Sequence, residues 1–288
     1  MRARVVYSDL DGTMVGPGGC FFRAEGGGPT LDPARALVAL LASGVPLVLV
    51  SGRTRAQLLE ACAVFGADGY VAELGALVGW DRGRRGELLR GAMPPEYDGV
   101  PDDLVEALLA RHAGRLEHHA PWHVGHEVDV MLRGYVDVAE AEEWLAGQGF
   151  GWLRVRDNGV LPAERMPRLG GPPHVYHLVP DGVGKGLGVA RDLQRRGLDR
   201  SEAVAVGDSA SDLEMAPYVG RLHLVANGAR AGHLAPLLAG YDNVVVEPGS
   251  FGAGWAAAVR AAIADGIADG HPAPAPGPAP ALSPPRPA

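Results

Sequence analysis

Cysteine is scarce in this chain: Cys20 and Cys62 are the only two among 288 residues. Two thiols make no disulfide framework, so an apolar core has to hold the fold, and they fit a reduced, cytoplasmic protein. Long apolar runs are lacking as well. The stretch Val5–Tyr7 after Arg2 and Arg4 ends before Asp9, too short for a signal peptide. Nothing approaches the roughly 18 consecutive apolar residues of a membrane span. A basic excess is also missing. Lys and Arg number 26 against 34 Asp and Glu, for a net charge of -8, and the arginines form only short clusters such as Arg82, Arg84 and Arg85. That excludes the electrostatic footprint of a nucleic-acid binder. The expectation is a soluble cytoplasmic protein with neither membrane nor nucleic acid as partner.

What is present is a globular composition, 47% hydrophobic and 21% charged, with enough apolar surface for a real core. The length suits one large domain, or a core with a smaller insert. Buried-strand patterns at Val5–Ser8, Val45–Val50 and Tyr70–Ala72 alternate with helices at about 32–43 and 55–65. The same alternation returns at the end, with strands at His174–Val179, Ala203–Val206, Leu222–Val225 and Val244–Val246 and a helix over Gly186–Arg196. Such alternation specifies an α/β fold, a Rossmann-like parallel sheet with helices on both faces. The middle differs. Helices from Pro101 to His112 and Val138 to Ala146 are interleaved with half-buried strands at Glu127–Arg133 and Trp152–Arg156, and Asp157-Asn158-Gly159 is a hairpin signal. This predicts a discontinuous core, 1–79 and 174–270, with an inserted α+β domain at 80–173. The Pro/Ala-rich stretch 271–288 cannot build a core and is expected to be disordered.

Four short motifs follow the ends of buried strands, the edge at which open α/β sheets bind ligands. Asp9-Leu10-Asp11-Gly12-Thr13 offers two carboxylates two residues apart. One can attack phosphorus and the other can carry a proton. Ser51-Gly52-Arg53-Thr54 offers a hydroxyl and backbone N–H groups at a strand-to-helix turn, suited to phosphate oxygens. Gly182-Val183-Gly184-Lys185-Gly186 sets a lysine among glycines before a helix, without the spacing of a Walker loop. Gly207-Asp208-Ser209-Ala210-Ser211-Asp212 sets two acidic groups at i and i+4, a donor set that suits Mg²⁺. Each alone reads equally as a turn, a helix cap or a solvated surface group.

Taken in order, these motifs resemble those of the haloacid dehalogenase-like phosphatases, over about 4–78 and 174–264. The resemblance implies that Asp9 attacks phosphorus to form an aspartyl-phosphate. It implies that Asp11 protonates the leaving group and later activates water, and that Ser51, Gly52 and Lys185 bind the phosphoryl group. It also implies that Asp9, the Asp11 carbonyl and Asp208 hold Mg²⁺, with Asp212 in support. The insert looks like the larger cap type shared with sugar-phosphate phosphatases, mannosyl-3-phosphoglycerate phosphatases and the Cof-like group. The expected activity is therefore hydrolysis of a sugar phosphate or similar small phosphorylated metabolite. A phosphotransferase or mutase using the same chemistry, and a non-catalytic phosphate sensor, are the alternatives. Arg53, with Arg133, Arg154 and Arg156 on the strands of the insert, are candidates to meet an anionic substrate.

The chain departs from the family's pattern at several points. The Gly-rich stretch after Thr13 is long, either a flap or merely a loop. Glu73-Leu74-Gly75 stands where Cof-like relatives often have Glu-Asn-Gly, and Ser211 where they often have Asn. The cluster His118, His119, His123 and His126 raises zinc, but no Cys is nearby and the segment reads as a loop.

Overall fold

The computed structural model describes residues 3–267. The segment 271–288 lies outside the described residues. The chain begins with β1 (Val5–Ser8), α1 (Asp32–Ala42), β2 (Leu47–Val50), α2 (Arg55–Phe65), β3 (Gly69–Ala72), β4 (Leu77–Trp80) and β5 (Arg85–Leu88). The insert follows with α3 (Asp102–Arg111), β6 (Leu116–His118), β7 (Val130–Gly134), α4 (Val138–Gly147), β8 (Leu153–Val160) and β9 (His174–Pro180). The chain returns through α5 (Lys185–Arg196), β10 (Ala203–Gly207), α6 (Ala210–Leu213), β11 (Arg221–Leu224), α7 (Ala226–Ala229), α8 (Ala235–Leu238), β12 (Val244–Val246) and α9 (Phe251–Ile267).

The larger sheet has the order β12-β11-β10-β1-β2-β3-β4-β5. From β12 to β3 all neighbours are parallel, and β4 and β5 extend the edge antiparallel. β1, β2, β3 and β10 are buried along their whole length because apolar layers cover both faces. α1 and α9 pack together on one face around Leu40 and Trp255, and α5 covers the other through Val189 and Leu193. This is the expected parallel-sheet core. It positions the ends of β1, β2 and β10 side by side.

The smaller sheet, β6-β7-β9-β8, is antiparallel. One face packs on α3 and α4 through Leu108, Leu145 and Leu153. The other carries Met131, Val175, His177 and Asn158 toward the end of the core sheet.

Three local expectations need correction. His174–Val179 belongs to the smaller sheet, pairing with β7 and β8 rather than opening the second core segment. Burial on both faces gives it the same buried-run appearance as a core strand. Asp157-Asn158-Gly159 does not turn the chain; it lies inside β8, where the register slips between Asp157 and Val160. Finally, Glu127–Asp129 precedes β7 instead of joining it, because its N–H groups bind Glu73.

Candidate active site

Asp9 stands at the end of β1, and its position is fixed from several sides. Its N–H donates to Val206 O at 3.0 Å, tying it to β10. The Ser8 hydroxyl donates to Asp9 O at 2.8 Å, and the fully buried Trp255 indole N–H donates to that hydroxyl at 2.8 Å. Asp9 Oδ1 accepts from Lys185 Nζ at 2.9 Å. Asp9 Oδ2 is buried and has no hydrogen-bond partner among the described residues.

Lys185 is buried at the first position of α5 and also donates to Asp212 Oδ1 at 2.7 Å. Burial works against its charge, but Asp212 and Asp9 more than offset this and raise its pKa. Asp212 Oδ2 accepts from the N–H groups of Asp208 and Ser209 at 3.0 and 2.9 Å and from Ser209 Oγ at 2.7 Å. The i, i+4 acidic pair is thus asymmetric. Asp212 shapes the loop and holds Lys185, while Asp208 faces the site.

Carboxylate oxygens of Asp9, Asp208 and Asp212 lie within 4.8 Å of one another. Burial, and then the charge of Asp212, push Asp208 up to about 7. Burial likewise holds Asp9 well above the ordinary carboxylate range, with Asp212 and Asp208 adding to it and Lys185 opposing. Crowded, buried carboxylates with an unpartnered oxygen are the donor set of a hard divalent cation, so these residues fit Mg²⁺.

Asp208 is oriented by residues that sequence reasoning missed. Thr13 Oγ1 donates to its Oδ1 at 3.0 Å. Asn227 Nδ2 donates to its Oδ2 at 3.2 Å and to Gly12 O at 2.8 Å. Asn227 Oδ1 in turn accepts from Phe251 N at 2.8 Å, locking the amide's orientation. Gly12 has φ +88°, and a Cβ there would lie 2.3 Å from Asp208 Oδ2. Only glycine lets the Asp9–Thr13 turn approach Asp208 so closely. Asn227 lies far from the four motifs in sequence, and no spacing signal marks it.

Ser51 is buried at the end of β2, and its hydroxyl accepts from Arg53 N at 3.2 Å. Thr54 caps α2, accepting from Gln57 N at 3.2 Å. Arg53 grips Asp11 through two bonds, Nε to Oδ2 at 2.7 Å and Nη2 to Oδ1 at 2.6 Å. A cavity of about 610 Å³ lies at this point between the two sheets. From the core, Asp9, Asp11, Ser51, Gly52, Lys185 and Asp208 line it, with Arg53 beside them. Gly18 and Gly19 of the Gly-rich stretch line it too. Asp212 does its work from behind.

The three strand arginines of the insert are not in this cavity. Arg133 pairs with Glu117 at 2.7 Å, Arg154 with Asp181 at 2.7 Å and Arg156 with Glu214 at 2.7 Å. They leave the core of the insert, as alternation requires, but carboxylates nearer the sheet take them up. The histidine cluster divides. His118 and His123 stack with centroids 4.6 Å apart, whereas His119 and His126 reach the cavity. His126 Nδ1 is bonded to Asp129, whose other oxygen meets His177 Nδ1 at 2.5 Å. Glu73, His126 and Asp129 approach within 4.8 Å, but hydrogen bonds engage all three.

Residues 169–232 match the haloacid dehalogenase-like hydrolase family. The chain is 25% identical to a phosphoglycolate phosphatase of Methanopyrus kandleri over 75% of this chain and 81% of that protein. It is 27% identical to one of Methanoculleus marisnigri with the same coverage. The fold is similar to that of the sucrose-phosphatase from Synechocystis, solved with sucrose and phosphate (TM-score 0.63, 18% identity, 93% and 99% of the two chains). It also resembles a haloacid dehalogenase-like hydrolase from Bacteroides thetaiotaomicron (TM-score 0.59, 15% identity, 92% and 99%). The chain is similar to haloacid dehalogenase-like phosphatases in one matched segment, in its curated relatives and in its fold. These similarities are those of a phosphatase, and the architecture is a parallel-sheet core with an inserted α+β cap.

Proposed function

We propose that the protein is a Mg²⁺-dependent phosphomonoesterase that acts through an aspartyl-phosphate on a sugar phosphate or related small phosphorylated metabolite. The observation that carries this reading is Asp9 Oδ2, a buried and unpartnered carboxylate oxygen beside Lys185 and Asp208. Asp9, the Asp11 carbonyl and Asp208 would hold Mg²⁺, which when bound neutralises charge on the transferring group. Ser51, the Gly52 backbone and Lys185 bind the phosphoryl oxygens.

Asp9 Oδ2 attacks phosphorus, the bond to the ester oxygen breaks, and Asp11 delivers a proton to the departing alkoxide. Asp11, now a carboxylate, takes a proton from water as that water attacks the aspartyl-phosphate. The phosphorus bond to Asp9 then breaks, releasing inorganic phosphate and restoring the carboxylate. The domain described by β6–β9 with α3 and α4 serves as the cap that encloses the substrate. Among the described residues no helix is long and apolar enough to cross a membrane. We place the enzyme in the cytoplasm, where the free thiols of Cys20 and Cys62 stay reduced.

Phosphate release from a panel of phosphomonoesters, with and without Mg²⁺, tests this reading. Asp9→Asn should lower turnover roughly 10⁴-fold, since loss of a nucleophile removes the covalent route. Activity that survives either Asp9→Asn or full chelation overturns it. Stoichiometric free phosphate separates hydrolysis from transfer to a second sugar.

A further inference from the structure

The cap-side wall of the cavity carries no unmatched positive charge. His119, Trp122, His126, Met131, Asn158 and Val175 form it. Burial works against a charge on His126 and Asp129 favours it, and both its ring nitrogens are engaged, Nδ1 with Asp129 and Nε2 with Trp122 O at 3.2 Å. His119 is neutral at physiological pH, since burial, and then Arg133, lower it to about 4. The arginines that share this sheet face are spent on Glu117, Asp181 and Glu214. On the core side, Lys185 is matched by Asp9 and Asp212, and Arg53 by Asp11. With Asp11 protonated to serve as the acid, three carboxylates face two cations, and one divalent cation leaves a single positive charge. A phosphate dianion already exceeds that charge. A carboxylate on the leaving group would add a further charge against a wall with nothing to receive it.

What the wall does offer is uncharged. Trp122 is 55% exposed, and its indole N–H has no partner among the described residues. Asn158 contacts His177 Nε2 through its Nδ2 at 3.4 Å, leaving its amide oxygen free. His119 Nδ1 is buried without a partner. Met131 and Val175 supply apolar surface between these groups. The slip in β8 between Asp157 and Val160 falls at Asn158, and irregularities of this kind re-aim a side chain toward a site. The cavity, about 610 Å³, falls within the roughly 300–1,000 Å³ typical of sites that enclose a drug-sized ligand, well beyond a two-carbon acid. The Trp122 ring, Met131 and Val175, set among neutral donors and acceptors, suit the C–H faces and hydroxyls of a polyol.

We infer that Trp122 and Asn158, with His119 behind them, are the residues that select the leaving group, and that they select an uncharged polyhydroxylated one over a carboxylate-bearing one. The inference rests on the Asp9 chemistry proposed above and narrows its substrate. It also distinguishes this chain from the phosphoglycolate phosphatases to which it is similar, because a glycolate leaving group carries the charge this wall does not meet.

Steady-state kinetics on three substrates test it: a hexose 6-phosphate, 2-phosphoglycolate and p-nitrophenyl phosphate, the last as a reporter of the Asp9 chemistry. The wild-type protein should show kcat/KM at least tenfold higher for the hexose phosphate than for phosphoglycolate. Trp122→Ala and Asn158→Ala should each lower that ratio severalfold, mostly by raising KM for the hexose phosphate. A merely structural role would scale both substrates equally, and equal losses overturn the assignment. Preference for phosphoglycolate, with p-nitrophenyl phosphate still hydrolysed, overturns the inference alone. Failure to hydrolyse any of the three overturns the Asp9 chemistry and the inference with it.

Discussion

Affinity for Mg²⁺ should rise about tenfold between pH 6 and pH 8. Burial and the neighbouring Asp212 place Asp208 at about 7, and a cation must displace the proton it holds. At pH 6 roughly one Asp208 in eleven is ionised, and at pH 8 roughly ten in eleven. The ratio is about tenfold, or about 1.4 kcal/mol of binding free energy. Asp9, raised in the same direction, adds to the slope. The sign can be checked a second way. Without the cation, the native state holds a proton that the unfolded chain gives up above the ordinary carboxylate value. The contribution of Asp208 to stability therefore falls as pH rises toward about 7 and is then level. Mg²⁺ restores most where that loss is complete, so the Mg²⁺-induced rise in Tm should be larger at pH 8 than at pH 6. Calorimetric titration of Mg²⁺ into chelator-stripped protein at the two pH values, at equal ionic strength, measures the ratio directly. Asp208→Asn should abolish tight binding at both. Equal affinities, or tighter binding at pH 6, would refute the reasoning.

Two further substitutions probe how the site is supported. Asn227→Ala removes the donor to Gly12 O and Asp208 and the acceptor for Phe251 N. It should cost about 1–3 kcal/mol in a denaturant melt and roughly tenfold in Mg²⁺ affinity, with the Asp9 nucleophile intact. Gly75→Ala would set a Cβ 2.0 Å from Gly184 O at a φ of +110°. The turn that presents Lys185 must shift, so stability should fall by at least about 2 kcal/mol and kcat should fall with it, read by melting and phosphate release on the same preparation.

The core strands were legible because a strand buried on both faces reads as a short unbroken apolar run, and β1, β2 and β10 each end at a chemical motif. The same signal misplaced β9, since period alone does not say which sheet covers a strand. That Asp9, Lys185, Asp208 and Asp212 lie together was legible because each follows a strand, and the fold brings those segments together. Asn227 was not, because an asparagine after β11 acquires its role only when α9 and the Asp9–Thr13 turn are packed beside it. The strand arginines show the converse. Alternation gave their face correctly, but the acids that absorb them, Glu117, Asp181 and Glu214, lie 16, 27 and 58 residues away, and only topology pairs them.

Glu73 shows why the cap wall can discriminate at all. It and Leu74 both have positive φ, near 50°, where a side chain is strained by about 1–3 kcal/mol per residue. The strain is offset by the Glu73 carboxylate, which accepts from the N–H groups of Glu127, Val128 and Asp129 at 2.8–3.2 Å. Those residues lead into β7, and Asp129 goes on to hold both His126 and His177. Arg55 adds an ion pair to Glu127 at 2.8 Å, and Arg156 of β8 reaches Glu214 of the core. The turn that follows β3 is thereby bonded to the segment that carries His126 and, through β7, Met131. A wall tied at this many points cannot re-pack freely around each substrate. Selection then rests on which unpartnered groups the wall presents, and those groups are neutral.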